Sequence, residues 1–447
     1  MTLNRASSGF LAKKTFNKLS DIYFVTMGFL LCQNIISLFK IGSTSFNLLI
    51  ILLIPFALYK IAIYRGKIFL IFKRIPKTFY FCVATIILSI IPGLFMIPVL
   101  NDISPLFKGI VFYFLSAVLP FFLGLISNKK EKEELFFGLF LGFIMNVLVS
   151  VIVYFVFKVF GYTLTFTSLF VNDSFFEPNY FSSVQGLFLE PSHLAGFVLM
   201  SFYLLFWFYK NKLIRITLFL GSWILFLLYR LGNLPIFIIS QVAFAIIMYG
   251  KLLLRFLNKS VFASRKRKII FYVVLIFAIL FIFLLIAFPL RPVFESIFYE
   301  FNPFSKANQD RMNSILVGLN VFFKKPFGVG FNLSGLAIDA YYGNDVTTAT
   351  THSFFLKLLI EQGVLGVVTF IYLIYSLISI AKRGKNCSLL IISLVCSVLF
   401  SFLDGPTEPY LFFLMGIICS IKQLNSSFYF LKKGKKLEKN YYFKINL

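Results

Sequence analysis

The segment 309–353 is a polar stretch in an otherwise apolar chain, and it holds side chains that could bind an anion. Asp310 is a suitable N-cap for a helix whose last turn would carry Lys324 and Lys325. Arg311 would then lie in the first turn, where a cation opposes the helix dipole. A bound anion would resolve this conflict, although an ion pair with Asp310 or a neighbouring acid would also do so.

The same segment contains a candidate turn and an amphipathic helix. Gly328 and Gly330 permit a tight turn whose amides could form an anion nest, so both are candidate substrate-binding residues. The helix before the turn carries one apolar stripe, formed by Met312, Ile315, Leu319 and Phe322. This stripe could lie on a bilayer surface or cap a helical bundle.

A carboxylate stands at the end of another polar segment, in the sequence Glu190-Pro191-Ser192. Proline suits the first turn of a helix, so a helix is predicted to begin at Pro191. Glu190 and Ser192 would then cap this helix. Alternatively, Glu190 could accept a proton from a substrate.

The elements that must position these residues are membrane helices. The chain is 59% hydrophobic and 13% charged, with a mean hydropathy of +0.90, which excludes an ordinary soluble domain. About 20 apolar residues suffice to cross the hydrocarbon core. Such segments lie near 19–39, 46–64, 78–99, 106–127, 135–157, 191–209, 213–229, 234–250, 269–290, 356–381, 388–403 and 409–422. The predicted fold is an all-α, polytopic bundle of about 12 transmembrane helices in a single membrane domain, 1–447.

Charge predicts how this bundle is oriented. Alternate connections hold most of the 43 lysines and arginines, which places both termini in the cytoplasm. The net charge of +26 is then a rim against anionic lipid, and no nucleic-acid binding is expected. Two outer loops are long, 158–190 and 291–352, and long loops are usually functional or disordered. Segment 431–447 is a basic cytoplasmic tail.

The other polar residues suggest support for a site rather than a metal centre. Lys357 and Glu361 are four residues apart in the tenth predicted span, where charges are usually paired or functional, so an ion pair that supports the site is expected. The five cysteines show no metal-ligand spacing, and the outer loops contain no paired aspartates. The sequence predicts neither a metal site nor a cofactor.

Three motifs together carry a family resemblance. They are Tyr229-Arg230-Leu231-Gly232 at an outer helix end, Arg311 followed by Pro326-Phe327-Gly328-Val329-Gly330, and Thr351-His352-Ser353 followed by Glu361-Gln362-Gly363-Val364-Leu365-Gly366. In these motifs the chain resembles the O-antigen polymerase and O-antigen ligase superfamily of bacterial polytopic membrane glycosyltransferases. The Glu190-Pro191-Ser192 element is similar to one found in the polymerases.

The resemblance implies glycosyl transfer on the outer side of the bacterial inner membrane. An undecaprenyl-diphosphate-linked oligosaccharide would serve as donor and acceptor, within membrane lipid and without a metal or cofactor. Arg230 and Arg311 would stabilise the diphosphate. His352 is the first candidate for the general base, followed by Glu190 and then Asp102. A chain-length regulator and a flippase are candidate partners.

Three functions remain open at this point. The first is a polymerase that joins repeat units of a surface polysaccharide, O-antigen or capsule, with inversion at the anomeric carbon. The second is a ligase that places finished polysaccharide on a lipid acceptor. The third is a flippase or transporter for the lipid-linked oligosaccharide, which would be expected to line a midplane cavity with charged residues.

Overall fold

The computed structural model describes residues 18–33, 37–41, 44–64, 72–73, 75–96, 104–160, 187–188, 191–228, 234–256, 306–342, 353–383, 387–403 and 409–421. Among the sequence-predicted features, Glu190, Arg230, His352, the segment 269–290 and the tail 431–447 lie outside these residues.

The described chain is predominantly helical. In chain order the helices are α1 (18–30), α2 (Leu48–Ile63), α3 (Lys77–Leu88), α4 (Ile90–Phe95), α5 (Ser104–Tyr113), α6 (Leu119–Ile126), α7 (Lys129–Phe160), α8 (Pro191–Phe208), α9 (Lys212–Leu228), α10 (Leu234–Phe256), α11 (Lys306–Lys324), α12 (Ser334–Tyr342), α13 (Phe354–Lys382), α14 (Ser388–Leu403) and α15 (409–421). Helices are found at every predicted span that lies within the described residues, whereas 269–290 lies outside them. Helix α8 begins at Pro191, as the sequence predicts.

Some of these helices are long enough to span a bilayer. By length and composition, four helical stretches of the described chain qualify, namely Lys77–Phe95, Ser104–Ile126, Lys129–Val156 and Phe354–Lys382. The other apolar helices of the described chain are shorter. The prediction of a multi-pass membrane protein is therefore supported, whereas the number of twelve spans stays a prediction.

One short β-hairpin interrupts the helical chain and shortens the predicted span 19–39. Strand β1 (Ser37–Ile41) pairs antiparallel with β2 (Thr44–Asn47), with Ile41 opposite Thr44. Helix α1 ends at residue 30, well before β1. In sequence the pairing leaves Gly42 and Ser43 as a two-residue connection, the length that favours a hairpin, and β1 contains the aromatic Phe39 and the β-branched Ile41.

The helices approach each other closely where one partner presents a glycine. A Cβ built on Gly138 of α7 would lie 2.0 Å from the Val25 carbonyl oxygen of α1, and a Cβ on Gly416 of α15 would lie 2.1 Å from that of Phe121 in α6. Small residues at such crossings are typical of membrane bundles, in which packing replaces the hydrophobic effect between helices.

A buried ion pair connects α2 to the start of α7. The Lys60 ammonium donates to both carboxylate oxygens of Glu131 at 2.6 Å, and the two side chains are 4% and 11% exposed. Glu131 also accepts from the Asn128 amide at 2.7 Å, while its own amide donates to the Asn128 side chain. This reciprocal arrangement is a capping box, so one carboxylate both caps α7 and holds α2.

Lys60→Ala is expected to lower the free energy of unfolding by about 3–5 kcal/mol, because Glu131 would remain as a buried, unpaired charge. The matched control is Lys130→Ala, which removes an exposed pair with Asp21 and should cost less than about 1 kcal/mol. Thermal unfolding of the detergent-purified variants measures both changes. Equal melting temperatures for the two variants would contradict this role of Lys60.

Candidate functional site

Helix α13 is interrupted at Gly363, and the turn that follows α11 contacts it at the interruption. Gly363 has φ 66° and ψ −159°, so the helical hydrogen-bond pattern fails around it. In a regular helix the Ile360 carbonyl would accept from the amide four residues later. Here the Val329 amide donates to the Ile360 carbonyl at 2.9 Å, and the Gly330 amide donates to the Glu361 carbonyl at 3.1 Å. The loop thus replaces hydrogen bonds that the helix has lost.

Backbone conformations of positive φ are concentrated at this junction. Within the described chain they occur at Gly328, Gly330, Asn332 and Gly363, all of them in the turn or in the break. A Cβ on Gly328 would lie 2.3 Å from the Glu361 carbonyl oxygen, and a Cβ on Gly363 would lie 2.3 Å from that of Pro326. Two backbones in such close contact leave no room for a side chain between them. Glycine adopts positive φ without strain, so three of these four positions call for glycine on conformational grounds as well.

The amides of the turn are engaged inside the protein. The Gly328 amide donates to the Lys325 carbonyl at 2.9 Å, and the Gly330 amide donates to Glu361. The expected anion nest would assign these amides to a substrate, whereas in the structure both hydrogens are donated to backbone carbonyls. The geometry gives Gly328 and Gly330 a positioning role at the junction.

The Glu361 carboxylate anchors the residues that follow the turn. It is 2% exposed and accepts from the Ser334 hydroxyl at 2.8 Å and from the backbone amides of Asn332 and Ser334. Since Ser334 begins α12, the carboxylate lies at a helix N-terminus, where negative charge is favourable. The Lys357 ammonium lies 3.9 Å from Glu361 and is 40% exposed. The predicted ion pair is present, but loop amides and a hydroxyl hold the carboxylate more closely than Lys357 does.

Helix α5 also contacts the turn. A Cβ on Gly109 of α5 would lie 2.3 Å from the Asn332 Cβ, and the side-chain amide nitrogen Nδ2 of Asn332 donates to the Pro105 carbonyl at 3.0 Å. The ring of Tyr113, at the end of α5, meets Phe331 edge-on with centroids 5.4 Å apart. One turn of π-helix, Phe114–Val118, follows immediately, and such turns often occur at functional sites.

Helix α11 packs against α13 through a face of small residues. Ser314, Gly318 and Val321 are buried, and a Cβ on Gly318 would lie 2.9 Å from the side chains of Leu356 and Ile360 in α13. Of the predicted apolar stripe, Met312 and Ile315 are exposed, whereas Leu319 packs against the cluster that includes Leu356 and Ile360. A glycine allows closer helix packing than a large apolar side chain, which explains why the small-residue face is used.

The start of α11 corrects the prediction for Asp310 and Arg311. The helix begins at Lys306, one turn earlier than expected, so Asp310 is not its N-cap and Arg311 is its sixth residue. Dipole effects fade within the first turn. The conflict that suggested an anion therefore disappears, and a functional role for Arg311 rests on its family motif and its position. The predicted end of the helix is confirmed at Lys324.

The comparison with known families concerns this part of the chain. Residues 216–371 match the model of the family described as O-antigen ligase. This match, over about a third of the chain, supports the O-antigen ligase and polymerase superfamily. The resemblance seen in the sequence motifs is thereby confirmed. A search of curated proteins finds no match to the chain.

The O-antigen ligase region includes most of the predicted site residues. It runs from α9 to α13 and contains Arg230, Arg311, the turn and His352, whereas Glu190 precedes it. Arg230 and His352 lie outside the described residues, so their roles stay predictions. His352 directly precedes Ser353, whose hydroxyl caps α13 by accepting from the Leu356 amide at 3.4 Å. No group of three or more metal-ligating side chains occurs in the described ranges.

Sequence reasoning missed the residues that hold the junction together. The sequence predicted no role for Asn332 or Ser334, and Gly363 appeared only as part of a family motif. The sequence did contain a signal. Gly328 and Gly330 follow the point at which α11 was expected to end, and Gly363 lies where α13 was expected to continue. A glycine inside a long apolar helix costs about 1 kcal/mol relative to alanine and often has a packing reason.

Proposed function

We propose that the protein polymerises undecaprenyl-diphosphate-linked oligosaccharide repeat units into a surface polysaccharide, O-antigen or capsule, on the outer side of the bacterial inner membrane. Its family region supports a membrane enzyme of the O-antigen ligase and polymerase type. The polymerase reaction, its donor and its acceptor belong to the proposal.

The observation that carries the proposal is the direct packing of α11 on α13. Gly318 meets Leu356 and Ile360, and further along both helices the turn that follows α11 meets the break at Gly363. Later residues of one helix thus contact later residues of the other, so both helices run the same way through the contact. Arg311, in the first half of α11, and the start of α13, which follows His352, therefore lie towards the same end of the packed pair.

Chemically, the reaction is a substitution at the anomeric carbon of the donor sugar. A hydroxyl of the acceptor attacks that carbon, its proton passes to a general base, and the bond from the carbon to the diphosphate oxygen breaks. The bonding electrons leave with the lipid diphosphate, on which negative charge grows. His352 is proposed as the base, with Glu190 as the alternative. Attack from the face opposite the leaving group inverts the anomeric configuration.

Arg230 and Arg311 are proposed to stabilise the leaving diphosphate. A guanidinium stays charged and its planar fork matches two phosphate oxygens at once. Preorganised charges of this kind stabilise a transition state without a proton transfer. The proposed site uses no metal and no cofactor. Lys357 and Glu361 support it from α13, and a chain-length regulator and a flippase are proposed as partners.

Ligation is the second candidate function, since the matching family carries the description O-antigen ligase. Both reactions break the same bond in the donor and differ in the acceptor. A ligase would transfer the finished chain to a lipid acceptor such as a lipid A core, whereas a polymerase adds it to a new repeat unit.

Deletion of the gene in its own host distinguishes these functions. The polymerase proposal predicts that the deletion strain still attaches a single repeat unit and that the wild-type gene restores the long ladder on a gel. Complete loss of attached repeat units would instead favour the ligase or a flippase. An unchanged ladder in the deletion strain would refute both transfer functions.

Arg311→Ala is expected to reduce the polymerisation rate by about 10²–10³, in line with the loss of one preorganised charge at the leaving group. Arg311→Lys should retain part of the activity, because the charge remains while the two-point geometry is lost. The control is Asn313→Ala, an exposed position on the same helix. The length distribution of surface polysaccharide, at matched expression, measures all three. Full activity of Arg311→Ala would exclude Arg311 from the site.

A further inference from the structure

Helix α11 presents two opposite faces, and only one of them is covered by the described protein. Successive residues of a helix are rotated by about 100°, which places the buried residues Ser314 and Val321 on one side. Met312, Leu316 and Phe323 point to the opposite side and are 54%, 54% and 73% exposed. The helix is therefore apolar on the face that points away from its partner.

A polar strip separates these two faces along one flank. Asn313, Asn320 and Lys324 are exposed and follow one another at intervals of seven and four residues, about 80–120° around the axis from Met312. The apolar face and the polar strip thus meet different surroundings. This division is typical of a helix that lies at the boundary of a membrane.

The exposed apolar face of α11 continues into the surface of a candidate membrane span. Phe327 is 79% exposed, and its backbone lies 2.7 Å from a Cβ built on Gly363. The Val364 amide contacts the Pro326 carbonyl at 3.4 Å. Directly beyond, Leu365 and Val368 of α13 are both 56% exposed, as expected for side chains that face lipid. Phe327 therefore borders an apolar surface that lies within the segment Phe354–Lys382.

The position of this contact along α13 supports the same interpretation. Gly363 is nine residues from the start of α13, which is about 13 Å along a helix at 1.5 Å per residue. The turn that follows α11 therefore contacts α13 within the candidate span and not at its end.

Charges around this surface match a lipid headgroup region. The Lys324 ammonium lies 5.1 Å from the ring centroids of both Tyr341 and Tyr342, and Lys325 is exposed beside it. The sequence 312–327 contains no acidic residue. Lysines next to aromatic rings are suited to the boundary between anionic headgroups and hydrocarbon.

We propose that the outer loop is embedded in the outer leaflet, with the face formed by Met312, Leu316, Phe323 and Phe327 in contact with the acyl chains of bilayer lipid. The loop then dips into the membrane along α13 rather than standing in water above it. This inference concerns where the loop lies and does not depend on which transfer reaction the protein performs.

Tryptophan quenching in lipid nanodiscs tests this proposal. The chain has two tryptophans, which Trp207→Phe and Trp223→Phe together remove. The indole nitrogen of Trp223 is buried and has no hydrogen-bond partner among the described residues, so replacing Trp223 breaks no hydrogen bond. Single tryptophans are then introduced by Phe323→Trp, Phe327→Trp, Asn320→Trp and Leu365→Trp. The nanodiscs contain phosphatidylethanolamine and phosphatidylglycerol, with or without brominated acyl chains.

The proposal predicts that Phe323→Trp and Phe327→Trp lose fluorescence to brominated lipid as strongly as the benchmark Leu365→Trp. Asn320→Trp, on the polar strip, should lose much less and should respond more to aqueous iodide. The proposal is overturned if Phe323→Trp and Phe327→Trp respond to iodide and not to brominated lipid, which would place the face in water.

Insensitivity to both quenchers would show that protein, such as a second copy, covers the face. Protection by an added polyprenyl diphosphate would assign it to the carrier lipid instead of the bilayer. A melting temperature close to that of the tryptophan-free parent confirms that each variant is folded.

Discussion

Gly363→Ala should abolish polysaccharide polymerisation and destabilise the protein by at least about 3 kcal/mol. The conformation of Gly363, φ 66° and ψ −159°, is open almost only to glycine and costs other residues about 1–3 kcal/mol. The added methyl group would also lie 2.3 Å from the Pro326 carbonyl oxygen and 2.7 Å from the Phe327 carbonyl carbon. Both contacts are with backbone, so no side-chain rotation can relieve them.

The matched control for this change is Gly250→Ala in α10, where the nearest atom to the new Cβ is 3.6 Å away. There alanine should be neutral or stabilise the helix by up to about 1 kcal/mol. Thermal unfolding and the polysaccharide ladder are measured for both variants. A Gly363→Ala protein with normal stability and a normal ladder would mean that the turn need not contact the break in α13.

The second large effect is expected for Glu361→Leu, which should lower the free energy of unfolding by about 3–5 kcal/mol. The substitution leaves two backbone amides and the Ser334 hydroxyl without their acceptor, at about 1–3 kcal/mol for each buried group. Loss of the Lys357 pair adds little, because that ammonium is 40% exposed and screened by solvent.

Two other variants separate the parts of this effect. Glu361→Gln keeps one acceptor oxygen in a side chain of the same size. Its loss of unfolding free energy should be less than half of the loss for Glu361→Leu. Lys357→Ala should change stability by less than about 1 kcal/mol. Limited proteolysis adds a local readout, since Glu361→Leu should speed cleavage of the segment between α11 and α13. The assignment fails if Lys357→Ala destabilises the protein as much as Glu361→Leu does.

The helices could be predicted from the sequence because their signal is local. Long apolar segments predicted α8, α13 and α14 to within a few residues. The hairpin of β1 and β2 was missed because its short apolar strand extended the predicted span beyond α1. The start of α11 at Lys306 was missed because Asp310 is a good N-cap in isolation. Residues 306–309 carry no stronger signal for a helix start.

The junction could be predicted only in part. The spacing of Lys357 and Glu361 correctly indicated a pair on one face of a helix, since residues four apart are neighbours there. Nothing in the sequence indicates that Glu361 also receives the amides of Asn332 and Ser334, because those residues meet it only through the fold. The nest at Gly328 and Gly330 was a reasonable interpretation of the turn, but it did not anticipate that an interrupted helix would use the same amides.

Reconstitution of the reaction from purified components tests the proposed polymerase most directly. The wild-type protein in nanodiscs would be incubated with a single undecaprenyl-diphosphate-linked repeat unit, and product length and released lipid diphosphate would be measured together. The account predicts a ladder of products, one lipid diphosphate released for each new linkage, and loss of both signals in Arg311→Ala but not in Asn313→Ala. A folded wild-type protein that forms no product longer than one repeat unit, or that transfers the unit only when a different lipid acceptor is supplied, would contradict it.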